Sequence, residues 1–124
     1  MNREEFYEEI RKVLLNLVDE SSEEVVVLVE GPRDEQTLRH IGIRGKVLHA
    51  SRAEHLLEQM PKPSKIILLY DFDEEGLKNL RKMSNLLKLR GYRVDETYYR
   101  KLRKLKRLGI NTVEGIKTLM PELG

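Results

Sequence analysis

Two short runs of uninterrupted apolar residues constrain this chain more than anything else in it. They are Val25-Val26-Val27-Leu28-Val29 and Ile66-Ile67-Leu68-Leu69-Tyr70. Neither alternates apolar with polar, so neither suits a strand with one wet face. Both are short and flanked by turn residues, which favours strands over buried helices. A strand buried on both faces requires helices above and below it. Each run opens into a turn rich in acids and glycine, Glu30-Gly31-Pro32-Arg33-Asp34 and Asp71-Phe72-Asp73-Glu74-Glu75-Gly76, and then into a helical pattern. In such α/β arrangements the ligand site forms at the carboxyl ends of the strands. Glu30, Asp71 and Asp73 are therefore expected at one edge of one sheet.

The remaining pattern fills in around these runs. Residues 3–19 read as an amphipathic helix, with Phe6, Tyr7, Ile10, Val13, Leu14, Leu17 and Val18 on one stripe. A short helix over 34–41 stops at Gly42. Lys46 to His49 is a weak strand, and Ser51 can cap a helix over 52–60. Pro61-Lys62-Pro63-Ser64 is a rigid connector. A strand over 65–70 leads to a helix over 75–90 that Gly91 closes. Arg93 to Tyr98 is a fourth strand candidate, followed by a basic helix over 99–108 and a short helix over 112–119. This order predicts a single-domain, Rossmann-like α/β fold with about four mostly parallel strands and helices on both faces.

At 124 residues the chain has the size of one domain. It lacks cysteine, which excludes disulfides, thiolate chemistry and a Cys-built zinc site. No apolar run approaches the ~18 residues of a membrane span, and the first residues lack a signal-peptide layout. A soluble cytoplasmic protein with no membrane partner is expected. The net charge of +2 conceals an asymmetry. Residues 1–30 carry nine acidic and three basic side chains, whereas residues 78–107 carry two acidic and twelve basic. The basic half suits a polyanion, and nucleic acid is the expected partner.

Carboxylates two residues apart at a strand end suit a hard cation such as Mg²⁺, which takes oxygen ligands and is held by one or two carboxylates plus water or phosphate. Three acids at one edge repel each other unless a cation or proton intervenes. An EF-hand loop starting at Asp71 is excluded, since its twelfth position is Lys82 rather than Glu and a strand precedes it. His40, His49 and His55 show no ligand spacing.

The segment Val27-Leu28-Val29-Glu30-Gly31-Pro32-Arg33-Asp34, followed by Tyr70-Asp71-Phe72-Asp73-Glu74-Glu75-Gly76, resembles the two linked motifs of the Toprim domain. That domain is shared by topoisomerases, bacterial primases, certain nucleases and the ribonuclease that matures 5S ribosomal RNA. The resemblance covers roughly residues 24–100, leaving residues 1–23 as a helix packed on that core and 101–124 as a basic helical segment. It implies Glu30 as general acid/base and metal neighbour, Asp71 and Asp73 as ligands of Mg²⁺ (Mn²⁺ as the alternative ion), and Gly31, Asp34 and Gly76 as supports of the motif. Pro32 stands where some members have Lys, and Arg33 can supply that charge. The implied chemistry is phosphodiester hydrolysis or phosphoryl transfer, nuclease-like, with RNA processing as one form. The other reading is a non-catalytic, Mg²⁺-bridged nucleic-acid-binding module. Topoisomerase and primase activities need further domains.

Arg100, Lys101, Arg103, Lys104, Lys106 and Arg107 alternate with Leu102, Leu105 and Leu108. The leucines are expected against the body and the cations toward a phosphate backbone. Tyr98 and Tyr99 are candidates for stacking on single-stranded bases.

Overall fold

The computed structural model describes residues 2–123. Its centre is a four-stranded, wholly parallel sheet of order β2-β1-β3-β4, comprising β1 (Val25–Val29), β2 (Lys46–His49), β3 (Lys65–Leu68) and β4 (Val94–Asp95). The two apolar runs are its central pair. Val27 of β1 faces Val47 on one side and Ile67 on the other. Every residue of β1 is buried.

Six helices surround the sheet: α1 (Arg3–Glu20), α2 (Pro32–Ile41), α3 (Ala50–Glu58), α4 (Glu74–Leu89), α5 (Thr97–Leu102) and α6 (Met120–Leu123). Two 3₁₀ segments, Arg103–Leu108 and Glu114–Leu119, complete the regular structure of the described residues. Right-handed crossovers send α2 to one face and α3 and α4 to the other, because β2 and β3 lie on opposite sides of β1. The contacts agree. Helix α1 packs on α5 and α6, and α2 packs on the Glu114–Leu119 segment. On the other face Arg90, at the end of α4, pairs with Glu54 and Glu58 of α3 at 2.9 and 3.0 Å. No helix among the described residues is long and apolar enough to cross a membrane.

Several expected boundaries move for local reasons. Helix α2 begins at Pro32, whose missing N–H costs nothing in a first turn. Helix α3 begins at Ala50, so Ser51 lies inside it and does not cap it. The fourth strand is two residues long, because Asp95 Oδ1 accepts the Thr97 N–H at 2.8 Å and turns the chain into α5. Tyr98 and Tyr99 therefore sit on a helix and are buried, which removes both as stacking platforms. Beyond Leu102 the basic segment is 3₁₀ rather than α. Its leucines recur every third residue, the 3₁₀ repeat, and Leu102 and Leu105 are fully buried.

One ammonium group ties the far edge of the sheet together. Lys65 Nζ donates to Asp95 Oδ2 at 2.8 Å and also to Glu20 at the end of α1, while the Tyr98 hydroxyl donates to the same Glu20. Burial opposes charge on Lys65, but the two carboxylates outweigh it and hold its pKa above the ordinary lysine value. The Lys65 and Asp95 side chains are 16% and 14% exposed, so breaking this pair strands a carboxylate. Lys65→Met is expected to destabilise the fold by about 3 kcal/mol, and adding Asp95→Asn, which is uncharged and keeps an oxygen for the Thr97 N–H, to recover part of the loss. Urea denaturation midpoints of the single and double variants check this.

Candidate functional site

The chain leaves β1 toward β2 on one side, and β3 lies on the other, so β1/β3 is the point where the winding direction reverses. The loops after these strands diverge and leave a crevice at their carboxyl ends, the usual ligand position in open α/β sheets. Glu30 follows β1 directly, and the loop 71–73 follows β3 after Leu69 and Tyr70. The two loops are joined: the Asp71 N–H donates to Glu30 Oε1 at 3.1 Å. Asp71 and Asp73 flank Phe72, which is buried and packs against the Tyr99 ring at 5.9 Å between centroids. Phe72 thus anchors the loop in the core between its two carboxylates.

Helix starts account for part of the acidic pattern. Asp73 is the N-cap of α4, its Oδ1 accepting the Gly76 N–H at 2.7 Å. Asp34 is the third residue of α2 and accepts the Gly31 N–H at 3.1 Å through Oδ2, while Gly31 occupies the cap position. Gly76 is needed for close approach, and what approaches is the chain's own loop: a Cβ there would stand 2.0 Å from the Asp71 carbonyl oxygen. These bonds leave the second oxygens of Glu30, Asp71 and Asp73 without hydrogen-bond partners among the described residues.

A third segment enters the site from the end of the chain. The Phe72 N–H donates to the Asn111 carbonyl at 2.7 Å, and the Val113 N–H donates to Asp71 Oδ1 at 2.9 Å. Val113, Ile116 and Leu119 are buried and hold this strap down. Glu114 comes with it and adds negative charge near both Asp71 and Asp34. No motif or periodicity marks Glu114 in the sequence, because its place depends on a tertiary contact.

The crowding of charge is visible in the titration of the acids. Burial pushes the Asp34 carboxyl up to about 6, against the lowering effect of the Gly31 bond, and the charges of Asp71, Glu30 and Glu114 push the same way. Burial also raises Asp71, opposed by the Val113 bond and reinforced by Asp73 and Glu114. Tyr70 is likewise raised by burial and then by Glu30, so its phenol stays protonated near neutrality and is no ready nucleophile. Among the described residues, no three His, Cys, Asp or Glu side chains already stand in a geometry that holds a metal ion.

Cations lie on the outer surface. Arg33, Arg100, Lys101, Arg103, Lys104, Lys106 and Arg107 are all exposed. Lys104 pairs with Glu9, and Arg100 with Glu96 at 3.6 Å. Burial raises the Tyr99 phenol, and it feels Arg103 and Arg81 together with Asp73 and Asp71. Cations and acids thus meet around one buried ring.

Asp34 provides a test of the charge crowding. A carboxyl held above its ordinary value of 3.8 binds its proton more tightly in the folded state. Its contribution to stability is complete below that value and is lost as the pH rises through about 6. Asp34→Asn keeps an oxygen for the Gly31 N–H and cannot ionise. The variant is expected to lose less stability than the wild type between these pH values, as denaturant titrations without divalent ions would measure.

No protein-family model matches the chain. A UPF0292 protein of Thermococcus kodakarensis is 34% identical over 113 residues, covering 89% of this chain and 85% of the relative. A UPF0292 protein of Methanocaldococcus jannaschii is 27% identical over 122 residues, covering 94% and 93%. A solved structure of a protein from Aquifex aeolicus superposes with a TM-score of 0.60 at 31% identity, covering 91% of this chain and 96% of that one. Identity at this level over nearly the whole length of both chains means that the protein belongs to the UPF0292 family.

Proposed function

We propose that this chain is a Toprim-type protein that carries out Mg²⁺-dependent phosphodiester chemistry on nucleic acid. The observation that carries the reading is the Asp71 N–H bond to Glu30. It draws the two motifs that resemble Toprim into one crevice at the strand-order reversal. The available donor set suits Mg²⁺, or Mn²⁺ in its place, because two carboxylates with water and phosphate suffice and no closed protein cage is needed. Asp71 and Asp73 are the ligands in this reading, each through the oxygen not bound to a backbone N–H, with Glu30 beside them. When bound, such an ion polarises the phosphoryl oxygen and stabilises the leaving oxygen.

The chain's own groups do the rest. Glu30 keeps Oε1 on the Asp71 N–H and has Oε2 free to take a proton from the attacking hydroxyl or water, or to return one to the leaving oxygen. Arg33 starts close to Glu30 in sequence, and Arg100, Lys101, Arg103, Lys104 and Arg107 offer charge to the phosphate backbone. Lys104 and Arg100 must exchange an internal carboxylate for phosphate, so Lys101, Arg103 and Arg107 carry more of the contact.

The test is incubation of the purified protein with labelled RNA and DNA in Mg²⁺, Mn²⁺ or chelator. Cleavage is expected with either ion and not with chelator. Glu30→Gln should slow it by ~10²–10⁴-fold with little change in binding. Asp71→Asn with Asp73→Asn should abolish Mg²⁺ binding, and cleavage with it, while Asn keeps the backbone-facing oxygen at each position. Arg103→Ala with Arg107→Ala should flatten the log–log salt slope of binding by up to ~2. Metal-dependent binding without any cleavage would replace the enzyme with the bridging module. Equal cleavage by wild type and Glu30→Gln would remove Glu30 from the chemistry.

A further inference from the structure

On the α3/α4 side of the crevice lies a cleft of about 390 Å³ that ends at Glu30. Ala50 and Ser51 at the start of α3 line one side of it, where α3 has only small side chains; Ala53 and Leu57 of the same helix are buried in the core. Met83 and Leu86 of α4 form the facing wall, and both are half-buried. Asn79 and Lys82 lie on the same face of α4, at the i, i+3, i+4, i+7 spacing that puts these four residues together. Ser51 supplies a hydroxyl from across the gap.

Two features separate this cleft from an ordinary packing gap. The Asn79 carboxamide, the Ser51 hydroxyl and the Lys82 ammonium take no hydrogen bond or ion pair among the described residues. Tyr70 also lines the cleft; it is 2% exposed, and its hydroxyl too has no hydrogen-bond partner among the described residues. The Tyr70 hydroxyl is not sealed in the core: it reaches the cleft, where an incoming polar group can take the place of water. Apolar walls with a few convergent polar groups are the mark of a ligand pocket, and the volume lies in the range of small-ligand sites.

We propose that this cleft receives one unpaired nucleobase of the bound strand, next to the phosphate at Glu30. The inference rests on the nucleic-acid reading above and adds to it a preference for single-stranded or unpaired substrate. A base is flat with apolar faces, which matches Met83 and Leu86 against Ala50, and it has a polar edge, which matches Asn79, Ser51 and the Tyr70 hydroxyl. A carboxamide pairs best with the adjacent donor and acceptor of adenine. Lys82, Arg81 and Lys78 follow one another along the outer side of α4 back toward Glu74 at its start, offering positive charge to the phosphates attached to that base.

The test compares binding of a short oligo(dA) with an abasic strand of equal length and charge, by fluorescence anisotropy with Ca²⁺ in place of Mg²⁺ so that the strands stay intact. Wild type is expected to favour oligo(dA) by ~10-fold or more. Asn79→Leu, which removes the edge contact, and Ala50→Leu, which fills the cleft, should each lower oligo(dA) affinity to the abasic level. Abasic affinity and its salt slope should stay unchanged in both, which also shows that the variants fold. Equal affinity of wild type for the two strands would overturn the base pocket and leave the proposed function standing. Binding of neither strand would overturn both. Retained discrimination in both variants, or a change of oligomeric state in place of lost discrimination, would assign the cleft another role and overturn the proposal.

Discussion

The central strands β1 and β3 are buried on both faces and bond to parallel neighbours on both sides, so no charge stands within them, and the one charged residue, Lys65, opens β3 and is paired. Polar chemistry on this sheet is confined to the strand ends. The chain then winds in opposite directions from two adjacent strands, and the ends where it does so are the ones that carry Glu30 and Asp71. The crevice is a consequence of strand order and burial before it is a consequence of any particular side chain.

What burial concentrates, backbone donors keep in order. Each carboxylate at the edge turns one oxygen to an N–H: Glu30 to Asp71, Asp71 to Val113, Asp73 to Gly76 and Asp34 to Gly31. These donors offset part of the repulsion among four acids, and Glu114 adds a fifth charge. The residual strain shows in Asp34 and Asp71, both held above the ordinary aspartate range, burial first and neighbouring charge second. Fixing one oxygen of each pair also fixes where the other can point, which is how a site can be ordered before anything binds in it.

The parallel sheet and the meeting of the two acidic turns were legible in sequence because both follow from short-range signals: apolar runs, turn residues and helical periodicity. The same signals misread the end of the chain. Tyr98 and Tyr99 have strand-forming side chains, yet the Asp95–Thr97 bond turns the chain into a helix before it reaches them. The leucines at every third residue contain the 3₁₀ repeat, but that spacing also fits an α-helical stripe. Asn111, Val113 and Glu114 carry no local mark at all. Asn111 and Val113 act through main-chain groups, which every residue possesses, and the burial of Val113 and Ile116 brings these to Phe72 and Asp71 together with the charge of Glu114.

That strap has a consequence for the timing of assembly. The bond between Glu30 and Asp71 spans 41 residues, and the one from Asp71 to Val113 a further 42. Closing such loops carries an entropic cost that local contacts do not repay. During synthesis β1, β2, β3 and their helices emerge well before residues 111–114, so the sheet can pair while Asp71 still lacks its donor. The carboxylate edge therefore acquires its order late, and a nascent chain passes through an interval in which the scaffold is present and the crevice unfinished.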